Sequence, residues 1–146
     1  MRRIVTGTTA GRSHVLSVEP VPEAAWTNLW STAPQSPLGS DEGLTAGGFP
    51  AGPGHTTWTI VSLPPLEEMR AALSSAGGAD PEGFHLTNTI DYVVVLDGPV
   101  TLKLDDDEVV VQPGDLVVQR NTNHAWHNLN DHPIRLLALM TGVPAR

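Results

Sequence analysis

From Leu86 onward the chain alternates short apolar, β-branched runs with breaks rich in Gly, Pro, Asn and Asp, the pattern of strands joined by tight turns. Leu86 to Leu96 reads as a long strand broken by Gly98 and Pro99; Val100 to Leu104 follows, and Asp105 to Glu108 form an acidic hairpin tip leading into Val109 to Gln112. Pro113, Gly114 and Asp115 turn the chain into Leu116 to Gln119, and Arg120 to Asn123 turn it again. His124 to Leu129 and Ile134 to Thr141 complete the set. Parallel pairing needs long crossovers, and none is visible here, so these residues predict an antiparallel sandwich or barrel.

The first part of the chain reads as an irregular arm. Ile4 and Val5, then Val15, Leu16 and Val18, are apolar patches able to pair as edge strands, while Trp26 and Trp30 lie one turn apart if Glu23 to Trp30 is a brief helix. Ala33 to Gly54, rich in Pro, Gly and Ser, reads as a long loop or flexible flap. Thr57 to Leu63 predicts a strand closed by Pro64 and Pro65, and Leu66 to Ser74 one or two helical turns. The division expected is residues 1–56 as an arm and loop packing on the rest, and residues 57–146 as the folded domain.

Composition narrows the function classes. Fourteen Gly and thirteen Pro in 146 residues disfavour a helical bundle. The absence of cysteine removes disulfides, thiolate nucleophiles and Cys-based zinc sites. A formal charge of −8 without a basic stripe argues against nucleic acid, and no apolar run is long enough for a membrane span. With Thr6 to Thr9 standing where a secretory apolar region belongs, the expected compartment is the cytoplasm.

Strand alternation assembles the candidate chemistry. His85, Thr87, Thr89, Asp91, Val93 and Val95 share one face, polar at its start and apolar at its end, as in a cavity whose deep end is core. Tyr92 faces the other way, toward a second layer or a subunit partner. His124 and Trp126 share a face that His127 does not. If His124 faces the same cavity, two imidazoles and a carboxylate supply donors suited to a divalent transition metal; otherwise each histidine is a hydrogen-bonded or surface residue. Gln119, Arg120, Asn121 and Asn123 read as turn polar groups in solvent, with Arg120 able to hold a substrate carboxylate.

Phe84 to Thr141 resembles a single-domain cupin of the small, conserved-β-barrel type. The family's first motif is matched by His85, by Thr87 where a second histidine belongs, by Asp91 where a glutamate belongs, and by Gly98; the second is matched by Gly114, His124 and Asn128. Arg2 to Gly7 looks like the opening of bacterial cupins associated with small-molecule metabolism. The resemblance implies an all-β fold, an antiparallel cupin-type β-barrel (double-stranded β-helix, jelly roll) with an irregular N-terminal arm. It also implies a divalent metal, whether Zn, Mn, Fe or Ni, held by His85, Asp91 and His124, or a barrel without metal.

The expected activity is that of a small-molecule lyase or isomerase: dehydration, decarboxylation or isomerisation of an oxygenated organic substrate by a barrel-bound metal. Asp91 and His85 would be catalytic, and Thr87, Thr89, Trp126 and Arg120 would bind substrate. The alternatives are an iron-dependent dioxygenase and a non-enzymatic small-molecule-binding cupin without metal. A homodimer is expected, with no nucleic-acid or membrane partner.

Overall fold

The computed structural model describes residues 1–35, 51–77 and 79–145. Most of the expected loop at Ala33 to Gly54 lies outside the described residues. Among those described, the elements in order are β1 (Arg2–Thr9), β2 (Arg12–Pro20), β3 (Trp26–Thr32), β4 (Thr56–Leu63), α1 (Leu66–Ala76), β5 (Thr89–Val95), β6 (Val100–Lys103), β7 (Glu108–Val111), β8 (Leu116–Arg120), β9 (Ala125–His127) and β10 (Ile134–Gly142). All strand pairing is antiparallel, in a β1-β2 hairpin, a five-stranded sheet ordered β3-β4-β10-β5-β8, and a three-stranded sheet ordered β7-β6-β9.

Among the described residues no sheet closes on itself, which corrects the barrel and jelly-roll expectation. The five-stranded sheet ends on β3 and β8, and the three-stranded sheet on β7 and β9. Short turns require antiparallel neighbours but do not require the last strand to pair with the first. The core instead lies between two open sheets. Val93, Val95, Leu136, Ala138 and Met140 from the larger sheet meet Val100, Leu102, Val111 and Trp126 from the smaller one. An isolated bridge between His85 and His124, with backbone hydrogen bonds of 3.0 and 3.1 Å in both directions, links the segment before β5 to the start of β9.

The arm is regular where an irregular one was expected. β1 and β2 pair along their length through a turn at Ala10 and Gly11, both at positive φ (50° and 75°), the conformation of a primed hairpin turn. Glu23 to Trp30 is not a helix. Trp26 to Thr32, dominated by aromatic and β-branched residues, forms the edge strand β3 on β4, and an irregularity between Asn28 and Trp30 separates the two tryptophans. Trp26 faces the interior beside Val61, while Trp30 lies beside Trp58 on the outer face. The five-stranded sheet therefore draws strands from both sides of residue 56.

Helix α1 is longer than the one or two turns expected. It starts at Leu66, whose amide donates to the Asn128 carbonyl at 2.8 Å, and Glu67 and Glu68 in its first turn complement the helix dipole. Arg70 anchors it by a two-pronged bond to Glu82, at 2.9 Å from Nε and 2.7 Å from Nη2. No helix among the described residues is long and apolar enough to cross a membrane.

Candidate functional site

A cavity of about 640 Å³ opens between the two sheets under α1 and the segment before β5. Period-two alternation on three antiparallel strands builds its floor. Asp91 and Val93 of β5 stand between Met140 and Ala138 of β10 on one side and Gln119 and Val117 of β8 on the other. Trp126 of β9 supplies a wall, and Met69 and Leu73 of α1 roof it. The lining is apolar except for Asp80, His85, Thr87, Asp91, Gln119 and His124.

The histidines form a matched pair. Their rings lie 4.4 Å apart between centroids, inclined at 54°. Nδ1 of His85 contacts the Gly83 carbonyl at 2.9 Å, and Nδ1 of His124 contacts the Thr122 carbonyl at 2.8 Å. A carbonyl oxygen only accepts, so Nδ1 carries the proton in each neutral ring and Nε2 keeps its lone pair. Burial pushes the His124 pKa down, against the Thr122 carbonyl, and neighbouring His85 lowers it further. His124 is therefore held as a neutral base.

Asp91 is pushed the other way. Burial raises its pKa, opposed by a hydrogen bond from Thr89 and by the nearby His85. The Thr89 hydroxyl also bonds the Thr87 hydroxyl at 2.7 Å, so a short hydroxyl chain orients the carboxyl group. Asp91 Oδ1 is buried without a hydrogen-bond partner, as is Gln119 Nε2 on the facing strand.

The residues present do not fit the metal centre that the sequence resemblance implies, and that expectation is corrected. Among the described residues, no three His, Cys, Asp or Glu side chains are grouped so as to hold a metal ion. Thr87 replaces an imidazole with a hydroxyl already committed to Thr89. Sharing a strand face brings donors to one cavity without setting the distances among them.

The structure brings His85, Thr87, Asp91, His124 and Trp126 to the cavity; Thr89 is buried behind Thr87 and contacts Asp91. Arg120 is not among the lining residues. It is exposed and pairs with Ile90 in the register that turns Gln119 inward. His127 also faces away from the cavity, and its buried Nε2 donates to the Glu82 carbonyl at 2.9 Å, pinning the roof segment. Sequence reasoning missed Gln119 because a polar residue next to a polar turn carries no marker of its strand phase. Leu116, Val117 and Val118 are all apolar, so no alternation along the run marked which way it turns.

Residues 74–140 match the family described as "Cupin domain". Phomopsin biosynthesis cluster protein C′ of Diaporthe leptostromiformis is 44% identical over 69 residues, 47% of this chain and 35% of that protein. Oryzines biosynthesis cluster protein J of Aspergillus oryzae is 40% identical over 52 residues, 35% of this chain and 28% of that protein. The matched segments thus span about a third or less of these curated relatives. Among solved structures, an RmlC-like cupin family protein with a double-stranded β-helix fold from Methanocaldococcus jannaschii has a TM-score of 0.45 at 18% identity, covering 62% of this chain and 73% of its own. A DMSP lyase from Ruegeria pomeroyi has a TM-score of 0.42 at 18% identity, covering 60% and 38%.

Proposed function

We propose that this cupin-superfamily protein is a small-molecule enzyme of the lyase type that moves protons within the cavity between its two sheets. The observation that carries this reading is the joint effect of burial on two groups that line one cavity. It opposes charge on both, leaving His124 as a neutral base and favouring the protonated, acidic form of Asp91. His124 Nε2 takes a proton from a carbon beside a carbonyl, and the C–H electron pair becomes a C=C bond as a leaving group departs. The leaving group takes the Asp91 proton. Exposed His85, its ring centroid 4.4 Å from that of His124, passes the abstracted proton to solvent. Thr87 and Thr89 orient the Asp91 carboxyl, and Trp126 with the neighbouring aliphatic residues holds the apolar part of the substrate.

Elimination, with isomerisation as its proton-return variant, suits this lining better than decarboxylation. No Lys or Arg lines the cavity among the described residues, and a substrate carboxylate would lie beside Asp91 with no cation to offset it. The curated relatives are named for the biosynthesis clusters of phomopsins and oryzines, which supports a secondary metabolite as the natural substrate. The test is α-proton exchange in deuterium oxide, followed by proton NMR over a panel of small carbonyl compounds. The wild type is expected to exchange and eliminate, with His124→Ala slower by about 10²–10⁴-fold. Binding without exchange by any panel member would instead make this a binding protein.

For the partner, we propose a second copy of this chain on the outer face of the five-stranded sheet. Trp58, Leu139, Tyr92 and Val118 form one cross-strand row there, and Leu137, Val94 and Leu116 the next. Trp58, Leu139, Tyr92, Val118 and Leu116 are exposed, as are Ile4, Val15, Leu16 and Val18 of the hairpin. The five sheet side chains alone expose roughly 500 Å² as one continuous apolar patch, more than half of the roughly 800 Å² that one partner buries in a standard interface. Sedimentation equilibrium should give twice the chain mass at micromolar protein and one chain mass for Leu116→Glu with Tyr92→Lys. A monomeric wild type overturns the assignment.

A further inference from the structure

Two orphaned polar atoms face the same cavity from neighbouring strands. Asp91 and Gln119 are directly opposed on β5 and β8, 6% and 4% exposed, and Asp91 Oδ1 and Gln119 Nε2 lack partners. Buried polar groups are almost always hydrogen-bonded, and an unpaired one costs about 1–3 kcal/mol. Two such groups on one cavity wall, one able to donate and one at a carboxyl, are retained at a cost to stability that a bound molecule would relieve.

Their chemistry specifies that molecule. Gln119 Nε2 offers a hydrogen to an acceptor, and Asp91 Oδ1 stands ready for a hydroxyl. Side chains directly opposed across an antiparallel pair stand about 4.5–5.5 Å apart at Cβ, so a single small molecule can reach both. The matching oxygens therefore lie close together on that molecule. They belong to a neutral group, since no Lys or Arg among the described residues lines the cavity, and Val93, Trp126, Leu136 and Met140 call for an apolar body attached to it.

We infer that the substrate is a neutral β-hydroxy carbonyl compound with an apolar body, its carbonyl oxygen held by Gln119 and its hydroxyl by Asp91, and that the reaction is its dehydration. This rests on the acid–base reading above and adds Gln119 as the group that polarises the carbonyl. His124 Nε2 takes the proton from the carbon between the two oxygen-bearing carbons, and the electron pair forms the C=C bond. The C–O bond breaks, and the departing oxygen takes the Asp91 proton and leaves as water. Transfer of the proton from His124 back to Asp91 through solvent restores both groups. The balance needs no oxidant, reductant or co-reactant.

The probe is 4-hydroxy-4-phenylbutan-2-one, whose dehydration gives a conjugated enone followed by ultraviolet absorbance. Its unreactive analogue 4-phenylbutan-2-one reports binding by saturation-transfer NMR and proton abstraction by deuterium uptake. Gln119→Met removes the donor while keeping the shape, and a thermal melt no lower than that of the wild type shows that it folds. We expect the wild type to dehydrate the probe, Gln119→Met to lose about 10²–10³-fold in kcat/KM, as for removal of a donor to a developing oxyanion, and Asp91→Asn to keep deuterium uptake but lose dehydration. If Gln119→Met retains wild-type uptake and dehydration, the inference fails while the acid–base reading stands. If the analogue binds the wild type and Gln119→Met weakens it, yet no uptake or dehydration occurs, the acid–base reading fails and the dehydration with it. Failure of the wild type to bind or convert either compound overturns the substrate class.

Discussion

Replacing Asp91 by Asn should stabilise the protein while removing its dehydration chemistry. The substitution preserves the shape of a 6% exposed side chain and lets its carbonyl accept the Thr89 hydrogen bond; an amide nitrogen replaces the unpartnered oxygen, and what is removed is the cost of ionising a buried carboxyl. Above the raised native pKa the wild type must carry a buried, incompletely paired charge, a penalty of about 1–3 kcal/mol that the neutral amide avoids, on the order of 5 °C in Tm for a chain of this size. The gain has a definite pH dependence. Burial raises the native pKa of Asp91 above its unfolded value, so the native state binds the proton more readily. Its favourable contribution is complete below the unfolded pKa of about 3.9 and is lost as pH rises through the raised native value. The wild type should thus lag Asp91→Asn at pH 8, and the gap should narrow toward pH 4. Circular dichroism melts of both proteins across that range make the test. Parallel curves, or a variant less stable at pH 8, would refute the reasoning.

Three further outcomes follow from the same contacts. Asn128→Ala removes bonds to the Leu63 and His132 carbonyls and the acceptor of the Asn130 amide, all at 2.8–2.9 Å, and should cost about 2–4 kcal/mol in urea unfolding. Gly142→Ala would drive a methyl group into the Gly52 carbonyl, and the same measurement should find a loss of about 1–3 kcal/mol or more. The acid limb of kcat/KM should fall below the ordinary histidine pKa of about 6.5, because the lowered pKa of His124 keeps it basic there; a limb at or above that value contradicts the assignment.

Much of the cavity was legible because a strand has a period of two. Once the run through Asp91 is a strand, Thr87, Thr89, Asp91 and Val93 must share a face, and the same parity turns His124 and Trp126 one way and His127 the other. Parity failed at β8, where the polar neighbours of Gln119 and Arg120 gave no apolar alternation to anchor them, and the side chain turned inward is the amide rather than the guanidinium. It failed again at Trp26 and Trp30, whose spacing fits a helix face as well as a strand. Pairing with β4 decides between them, and a four-residue interval does not encode that pairing. Closure of a barrel and convergence of three metal donors are long-range distances. Local pattern constrains the direction of a side chain, not its separation from another strand.

The most direct test of metal-free proton transfer at His124 is the rate of deuterium uptake by 4-phenylbutan-2-one in protein stripped with chelator and verified by elemental analysis. The same rate is expected before and after stripping, with a loss of about 10²–10⁴-fold in His124→Ala. Uptake that disappears on stripping and returns with added divalent ion, or that survives unchanged in His124→Ala, would contradict it.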